Sequence, residues 1–190
     1  HQVLVDEDDD GKVTVDYHLD VSDEQGAREY DIADFDGIVV NGMGSVRIKQ
    51  SDTYRIHVEA PAGMMVERRG GMLHLGMNSD GQFEARIDMP DLRKIVVNGA
   101  SSLVFSGFDE KRLDLVTNGA AEITGKQSTV QHLNLTSNGA SSLDLDQIKA
   151  KNADFSIRGA SDVSLQMDGG ELEGSVSGAG NVIIRGPVSR

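Results

Sequence analysis

Three aspartates at alternate positions near the start of the sequence present oxygens in the pattern that a calcium ion takes. In DEDDDGKVTVDY, Asp6, Asp8, Asp10 and Gly11 stand at the first, third, fifth and sixth positions of a calcium loop, with Val13 at the apolar eighth. Carboxylate oxygens are hard ligands and suit Ca²⁺. The twelfth position, where a bidentate Glu belongs, is Tyr17, and the flanks QVLV and KVTVDYHLDV alternate like strands instead of helices. An EF-hand is therefore excluded. What remains at Asp6, Asp8 and Asp10 is a weak calcium turn, set against the simpler expectation of a solvated acidic turn joining two strands.

A second chemistry would come from paired carboxylates. Asp114 and Asp154 share a position in a 20-residue pattern and are separated by two of its periods, as are Glu122 and Asp162. If successive periods stack as strands, each pair lies about 9.6 Å apart, at the upper end of the separation used by inverting glycosidases. A carbohydrate-active enzyme, polysaccharide hydrolase or lyase, is thus the alternative function to weigh. Outward strand positions need charge for solubility in any case, and equivalent positions align whatever they do, so no catalytic or cofactor-binding residue is assigned. His18, His57, His74 and His132 fall in separate segments with no pair at metal-binding spacing. The sequence has no cysteine, which removes disulfides, thiolate zinc sites and cysteine nucleophiles. No serine sits in a nucleophile elbow, and no glycine-rich turn opens a helix that would cradle phosphate. Met43, Met64, Met65, Met72, Met77 and Met89 gather in one segment, where thioethers are expected to fill irregular packing.

The elements that would carry these groups are marked by glycines. IVVNGASSL, LVTNGAAEI, LTSNGASSL, SIRGASDV and SVSGAGNV align on Gly99, Gly119, Gly139, Gly159 and Gly178, at intervals of 20, 20, 20 and 19 residues. A fixed period of this size marks a stack of like units. Ile95, Leu115, Leu135 and Phe155 precede the glycine by four residues; Leu103, Ile123, Leu143 and Val163 follow it by four; Phe105, Leu145 and Leu165 follow it by six, with Gly125 the exception. Apolar residues thus alternate with period two on both sides, which is strand spacing, and polar residues such as Lys94, Asp114, Asn134, Asp154 and Glu173 fall between them. Asn and Gly take positive φ readily, so NGA turns the chain between two short strands. The alanines are expected at an inner corner, and Asn98, Asn118 and Asn138 are expected to stack and bond the backbone of adjoining coils. The fold class follows: all-β, a right-handed parallel β-helix-like solenoid of about 20-residue coils. Ile95, Leu115, Leu135 and Phe155 should form one buried stack, and Leu103, Ile123, Leu143 and Val163 another.

FDGIVVNGMGSVRIKQ is an earlier coil around Gly42, 57 residues before Gly99, an interval close to three coils. Between them YRIHVEA, MMVERRGGMLHLGM and FEARIDMP read as strands of an inserted β-hairpin region at about residues 52–90, with RRGG as a turn and Pro90 as the stop. The insert is expected to cap or flank the first half of the stack. DFDGIVVNGMGSVRIKQ, the strand pair after it, IDMPDLRKIVVNGASSL and the later repeats ending in SGAGNVII resemble the bacterial head GIN domain, a family of auto-transporter adhesins, over about Ala33 to Arg190. The resemblance implies an exported parallel β-helix-like domain, with no catalytic residues to carry over. Asn stands where that family usually has Ser before several of the glycines. Domain organisation on this reading is a strand-rich extension or cap at residues 1–32 and the head GIN-like solenoid at residues 33–190.

Lys and Arg number 18 and Asp and Glu 31, a formal net charge of −13. Such a field repels phosphate backbones and argues against nucleic acid as a partner. No run of 18 apolar residues occurs, so no membrane-spanning helix is expected. Beginning at His1 without a basic-then-apolar leader, the sequence reads as a processed protein or a fragment. Aromatic residues are 4% with no Trp, and Phe105 and Phe155 fall at inward positions, which argues against a sugar groove lined by stacking rings. The expected function is an exported (periplasmic, outer-membrane-associated or secreted), non-enzymatic structural or adhesion-type module. It would present a rigid acidic face to glycan or protein at a cell surface, oligomerisation being open, with no cofactor beyond the weak Ca²⁺ candidate.

Overall fold

The computed structural model describes residues 2–7, 13–21, 25–77 and 80–189, the first two segments as backbone only, and among these residues it is all-β without a helix. The strands are β1 (Gln2–Glu7), β2 (Val13–Val21), β3 (Gly26–Tyr30), β4 (Gly37–Gln50), β5 (Arg55–Ala60), β6 (Met64–Arg69), β7 (Met72–Met77), β8 (Gln82–Met89), β9 (Lys94–Gly99), β10 (Ser102–Ser106), β11 (Asp109–Gly119), β12 (Glu122–Gly139), β13 (Ser142–Gly159), β14 (Asp162–Met167), β15 (Leu172–Gly178) and β16 (Asn181–Arg185).

Alternation with period two makes each half of a repeat a strand, and the glycine between halves sends them into two ladders. The first ladder places β7, the start of β4, β9, and the ends of β11, β12 and β13 side by side, finishing at β15. The second places β8, the end of β4, β10, the starts of β12 and β13, then β14 and β16. All these pairings are parallel, so the NGA turns are not hairpins. Gly42, Gly99, Gly119, Gly139, Gly159 and Gly178 are successive register partners.

The interior follows from that register. Ile38, Ile95, Leu115 and Leu135 are buried from one side, and Val46, Leu103, Ile123, Leu143 and Val163 from the other. Full burial of such a side chain contributes about 1.5–3 kcal/mol. Phe155 departs from the expected stack: it is only half-buried, because its cover is the last strand of the ladder, and that strand sets Gly174 opposite it. The same pairing explains the gap in the apolar pattern at Gly125. Its register partner is Phe105, and a Cβ built on Gly125 would lie 2.6 Å from the end of that ring. The aromatic fills the volume that the glycine leaves. At the far end β15 and β16 each have a neighbour on one side only, and Val176 and Ile183 there are 44% and 54% exposed.

Two details of the corner differ from the sequence expectation. The alanines after the glycines are exposed; the residue one further on, Ser101, Ala121, Ser141 or Ser161, is the buried one. Each Ala N–H instead donates to the carbonyl of the glycine one repeat earlier, at 2.9–3.1 Å, which fixes the residue at the outer bend. The buried serines satisfy what is left: Ser141 Oγ accepts from Ala121 N and donates to Gly119 O, and Ser161 Oγ accepts from Ser141 N and donates to Gly139 O. The asparagines do stack, but their bonds run side chain to side chain. Asn98 Nδ2 donates to Asn41 Oδ1 at 3.0 Å, Asn118 to Asn98 at 2.9 Å and Asn138 to Asn118 at 3.1 Å. Arg158 and Ser177 occupy the next two rungs.

The segment between Gly42 and Gly99 adds no repeat between them. Those glycines are direct register partners, so 57 residues of sequence amount to a single strand step. The insert lies on the other side of β4, with β7 and β8 running parallel to its two halves. β6 pairs antiparallel with β7 through a turn at Gly70, as RRGG suggests, and β5 pairs antiparallel with β8. β1 with β2 extends the first ladder through β6, and β3 extends the second through β5. Antiparallel strands therefore close this end of the stack.

Gly119 has φ +111°, and a Cβ there would sit 2.8 Å from Gly99 O. Gly119→Val should destabilise the protein by about 2–4 kcal/mol through both backbone strain and steric conflict. Ser102→Ala, on an exposed strand position, should change stability by less than about 0.5 kcal/mol. Chemical denaturation of the two variants checks the contrast, and equal midpoints would remove the positive-φ account of the repeat.

Candidate functional site

The outward residues of the first ladder line up as the inward ones do. Lys94, Asp114, Asn134, Asp154 and Glu173 are successive register partners on adjacent strands. With Arg112, Thr136, Ser156 and Ser175 they line a shallow groove of about 530 Å³. The two aspartates singled out by spacing thus share one surface, separated by the strand that carries Asn134.

Their partners decide what they can do. Asn134 Nδ2 donates to Asp114 Oδ1 at 2.8 Å, and Arg112 Nε donates to the same oxygen at 3.1 Å. His132 Nε2 lies 2.8 Å from Asp154 Oδ2, a contact between repeats at a diagonal offset that sequence spacing did not reveal. An inverting hydrolase needs an open gap between its carboxylates for the scissile bond and a water. Here Asn134 bridges toward Asp114 and occupies the intervening rung. Glu122 and Asp162 are likewise two strands apart across Ser142, both exposed, and Asp162 accepts from Asn181 Nδ2 at 3.2 Å. Asp114, Asp154 and Asp162 are thus held by neighbouring side chains, while Glu122 is exposed.

Of the calcium candidates, Asp8 and Asp10 lie outside the described residues, with Gly11; Asp6 is on β1, described as backbone only. Among the described residues no group of three or more His, Asp or Glu side chains gathers as a metal site. The methionines divide: Met64 and Met89 are core, Met65, Met72 and Met77 are half-buried, and Met43 is 39% exposed. Met43 borders a second groove of about 750 Å³ with Ala27, Pro61, Glu59 and Glu84, assembled by the insert and therefore invisible in the repeat pattern.

The histidines sit in contrasting surroundings. His57 on β5 has Nδ1 2.7 Å from Glu29 Oε1 and Nε2 3.4 Å from Glu59 Oε1, and the hydrogen bond to Glu29, then that to Glu59, raises its pKa above the ordinary 6.5. His74 on β7 is pushed below that value by burial, only partly offset by Glu67. Glu67 is itself buried and held by Arg69 at 2.7 Å.

Residues 34–188 match the model of the family described as "Putative auto-transporter adhesin, head GIN domain", within the span of about Ala33 to Arg190 that resembles that family in sequence. Among solved structures the chain is similar to a "putative adhesin" from Bacteroides fragilis NCTC 9343, at 16% identity and a TM-score of 0.59, covering 86% of this chain and 97% of that one. It is also similar to a "Putative lipid binding protein" from Parabacteroides distasonis ATCC 8503, at 15% identity and a TM-score of 0.53, covering 86% of this chain and 98% of that one. At these identities the likeness is one of fold. No curated protein matches the sequence.

An NMR titration of the imidazole Cε1 protons should place the His57 midpoint above 6.5 and the His74 midpoint below it. A raised folded pKa favours the folded state while the group is protonated, so the His57 contribution is complete below pH 6.5 and lost as pH rises through its folded value. His74 acts in the opposite sense: its contribution is present above pH 6.5 and lost as pH falls through its folded value. In melting curves the difference between the parent and His57→Gln should therefore shrink from mildly acidic to alkaline pH; a constant difference would show that Glu29 does not hold the proton.

Proposed function

We propose that this chain, which belongs to the head GIN domain family, is an exported, non-enzymatic, adhesion-type module whose parallel ladders wind as a right-handed β-solenoid capped by residues 1–32 and the insert. The observation that carries the reading is the column Lys94, Asp114, Asn134, Asp154 and Glu173, held in register across five strands, with Asn134 bonded to Asp114 and His132 to Asp154. Such a surface is ordered before a partner arrives, so binding loses little side-chain entropy. Its acidic character suits a neutral, cationic or cation-bridged partner, a glycan or a matrix protein at a cell surface. Several copies on one cell would add avidity to a modest single contact. The family description and the adhesin among the structural neighbours support this reading. The alternative, a solenoid hydrolase or lyase, is disfavoured by Asn134, which occupies the rung between the two aspartates and donates to Asp114.

Retention on panels of immobilised polysaccharide and matrix protein, with parallel detection of new reducing ends, tests the proposal. Retention without turnover is expected, and Asp114→Asn with Asp154→Asn should weaken it about three- to tenfold by removing two charges from the groove. New reducing ends that vanish in either single variant would establish the enzyme instead.

A further inference from the structure

On the outer face of the second ladder, cations gather in two adjacent rows, beside an acidic row that holds Glu59 and Glu84. His57 on β5, Arg86 on β8 and Arg47 on β4 are register partners in one row across three adjacent strands. The next row of the same face holds Arg55, Asp88 and Lys49 in the same strand order, and Lys126 continues it beyond Ser106. Their neighbours along each strand, Val46, Ile48, Ile56, Val58, Ala85 and Ile87, are buried, so the rows point outward. Arg47, Lys49, Arg55, Arg86 and Lys126 are all exposed.

Like charges directly opposite on neighbouring strands repel. In a chain of net charge −13, with Glu84 and Asp88 each two residues from Arg86, the repulsion had acids at hand to relieve it. Yet among the described residues the ion pairs involve other cations, and Arg47, Lys49, Arg55 and Arg86 form none. Glu29 and Glu59 engage only His57, at the edge of the row. Two guanidinium forks therefore stand side by side, about 4.8 Å apart at the backbone, with no ion-pair partner among the described residues.

The form of the face selects the kind of anion. It is a flat strand surface, whose first row continues into half-buried Val104 and Thr124 and offers no projecting apolar side chain to enter a bilayer. Cations recur at one strand spacing in the first row, at two in the second, where Asp88 and Ser106 intervene, and at about 6.7 Å along the strand, which fits a ligand with spaced anionic groups. The negative field of the whole chain disfavours long anionic polymers and leaves short ones. We propose that this face binds the sulfate or carboxylate groups of an acidic polysaccharide, with Arg47 and Arg86 each giving a bidentate fork to an anionic group and Lys49, Arg55 and Lys126 extending the track. The site is separate from the Asp114 groove on the first ladder and does not depend on what binds there.

Titration calorimetry of the whole chain with a heparin-derived hexasaccharide, and with oligogalacturonate, should give saturable binding to one or both at 50 mM salt, weakening about tenfold by 200 mM salt. Arg47→Glu with Arg86→Glu should lower affinity about thirtyfold or more, whereas Arg47→Lys with Arg86→Lys should lose only about three- to fivefold, since charge survives without the fork. Lys49→Ala with Arg55→Ala, which removes charge without reversing it, should lose about fivefold and keeps the test open should the reversed pair fold poorly. Asp114→Asn with Asp154→Asn should leave the affinity unchanged or slightly raised. Absence of saturable binding at 50 mM salt overturns the proposal, as does unchanged affinity in the folded arginine variants. A preference for phosphatidylglycerol vesicles or an acidic peptide over both oligosaccharides, or loss confined to the Asp114 and Asp154 variant, overturns it too, the latter by assigning the glycan to the groove.

Discussion

A carbonyl oxygen shared between repeats is the contact on which the rest of this structure depends. Each corner glycine adopts φ between +96° and +116°, which turns its C=O toward the next repeat, where it receives the N–H of the following alanine. At Gly42, Gly119 and Gly139 the same oxygen also accepts a buried serine hydroxyl. From Gly99 onward an L side chain is excluded twice, by the dihedral and by the approach of the preceding corner glycine's backbone. Because the bond runs from one repeat to the next, it sets the register of both ladders at once. A slip of one residue would turn every apolar side chain outward.

Once register is fixed, the surface is determined as firmly as the core. Positions that alternate with buried Leu, Ile and Val must project outward, and identical offsets must form columns. This is why Asp114, Asn134 and Asp154 meet, and why Asn41, Asn98, Asn118 and Asn138 bond in series. A column bonded in series, as the asparagines are, stays ordered in water. The two faces then differ in what they leave unsatisfied: on the first, Asp114 and Asp154 are bonded to neighbouring side chains, whereas on the second Arg47 and Arg86 form no ion pair among the described residues.

The glycine spacing made the strands, their parallel pairing and most of the core legible, since a period of 20 and an alternation of two leave few alternatives. What escaped was whatever breaks the period. Phe155 looks like any other inward residue until its strand proves to be next to last in its ladder. The corner alanines look like the small inner residues, whereas the buried position is the one after, at Ser101, Ala121, Ser141 and Ser161. The row His57, Arg86 and Arg47 was unreadable: its members come from two strands of the insert and one of the first repeat, joined by no common spacing. His132 and Asp154, 22 residues apart, fell just outside the period that was being read.

The excursion between Gln50 and Lys94 departs from one strand of the stack and returns to the strand beside it with the glycines still in step. Nothing in the spine therefore records how long the excursion is or what it contains. Natural variation can rewrite β5 and β8, exchanging arginines for acids or hydroxyls, while the carbonyl contacts that hold the repeats together go untouched. An architecture of this kind separates heritable changes of specificity from changes of stability, so that lineages sharing one spine are free to diverge in what they hold.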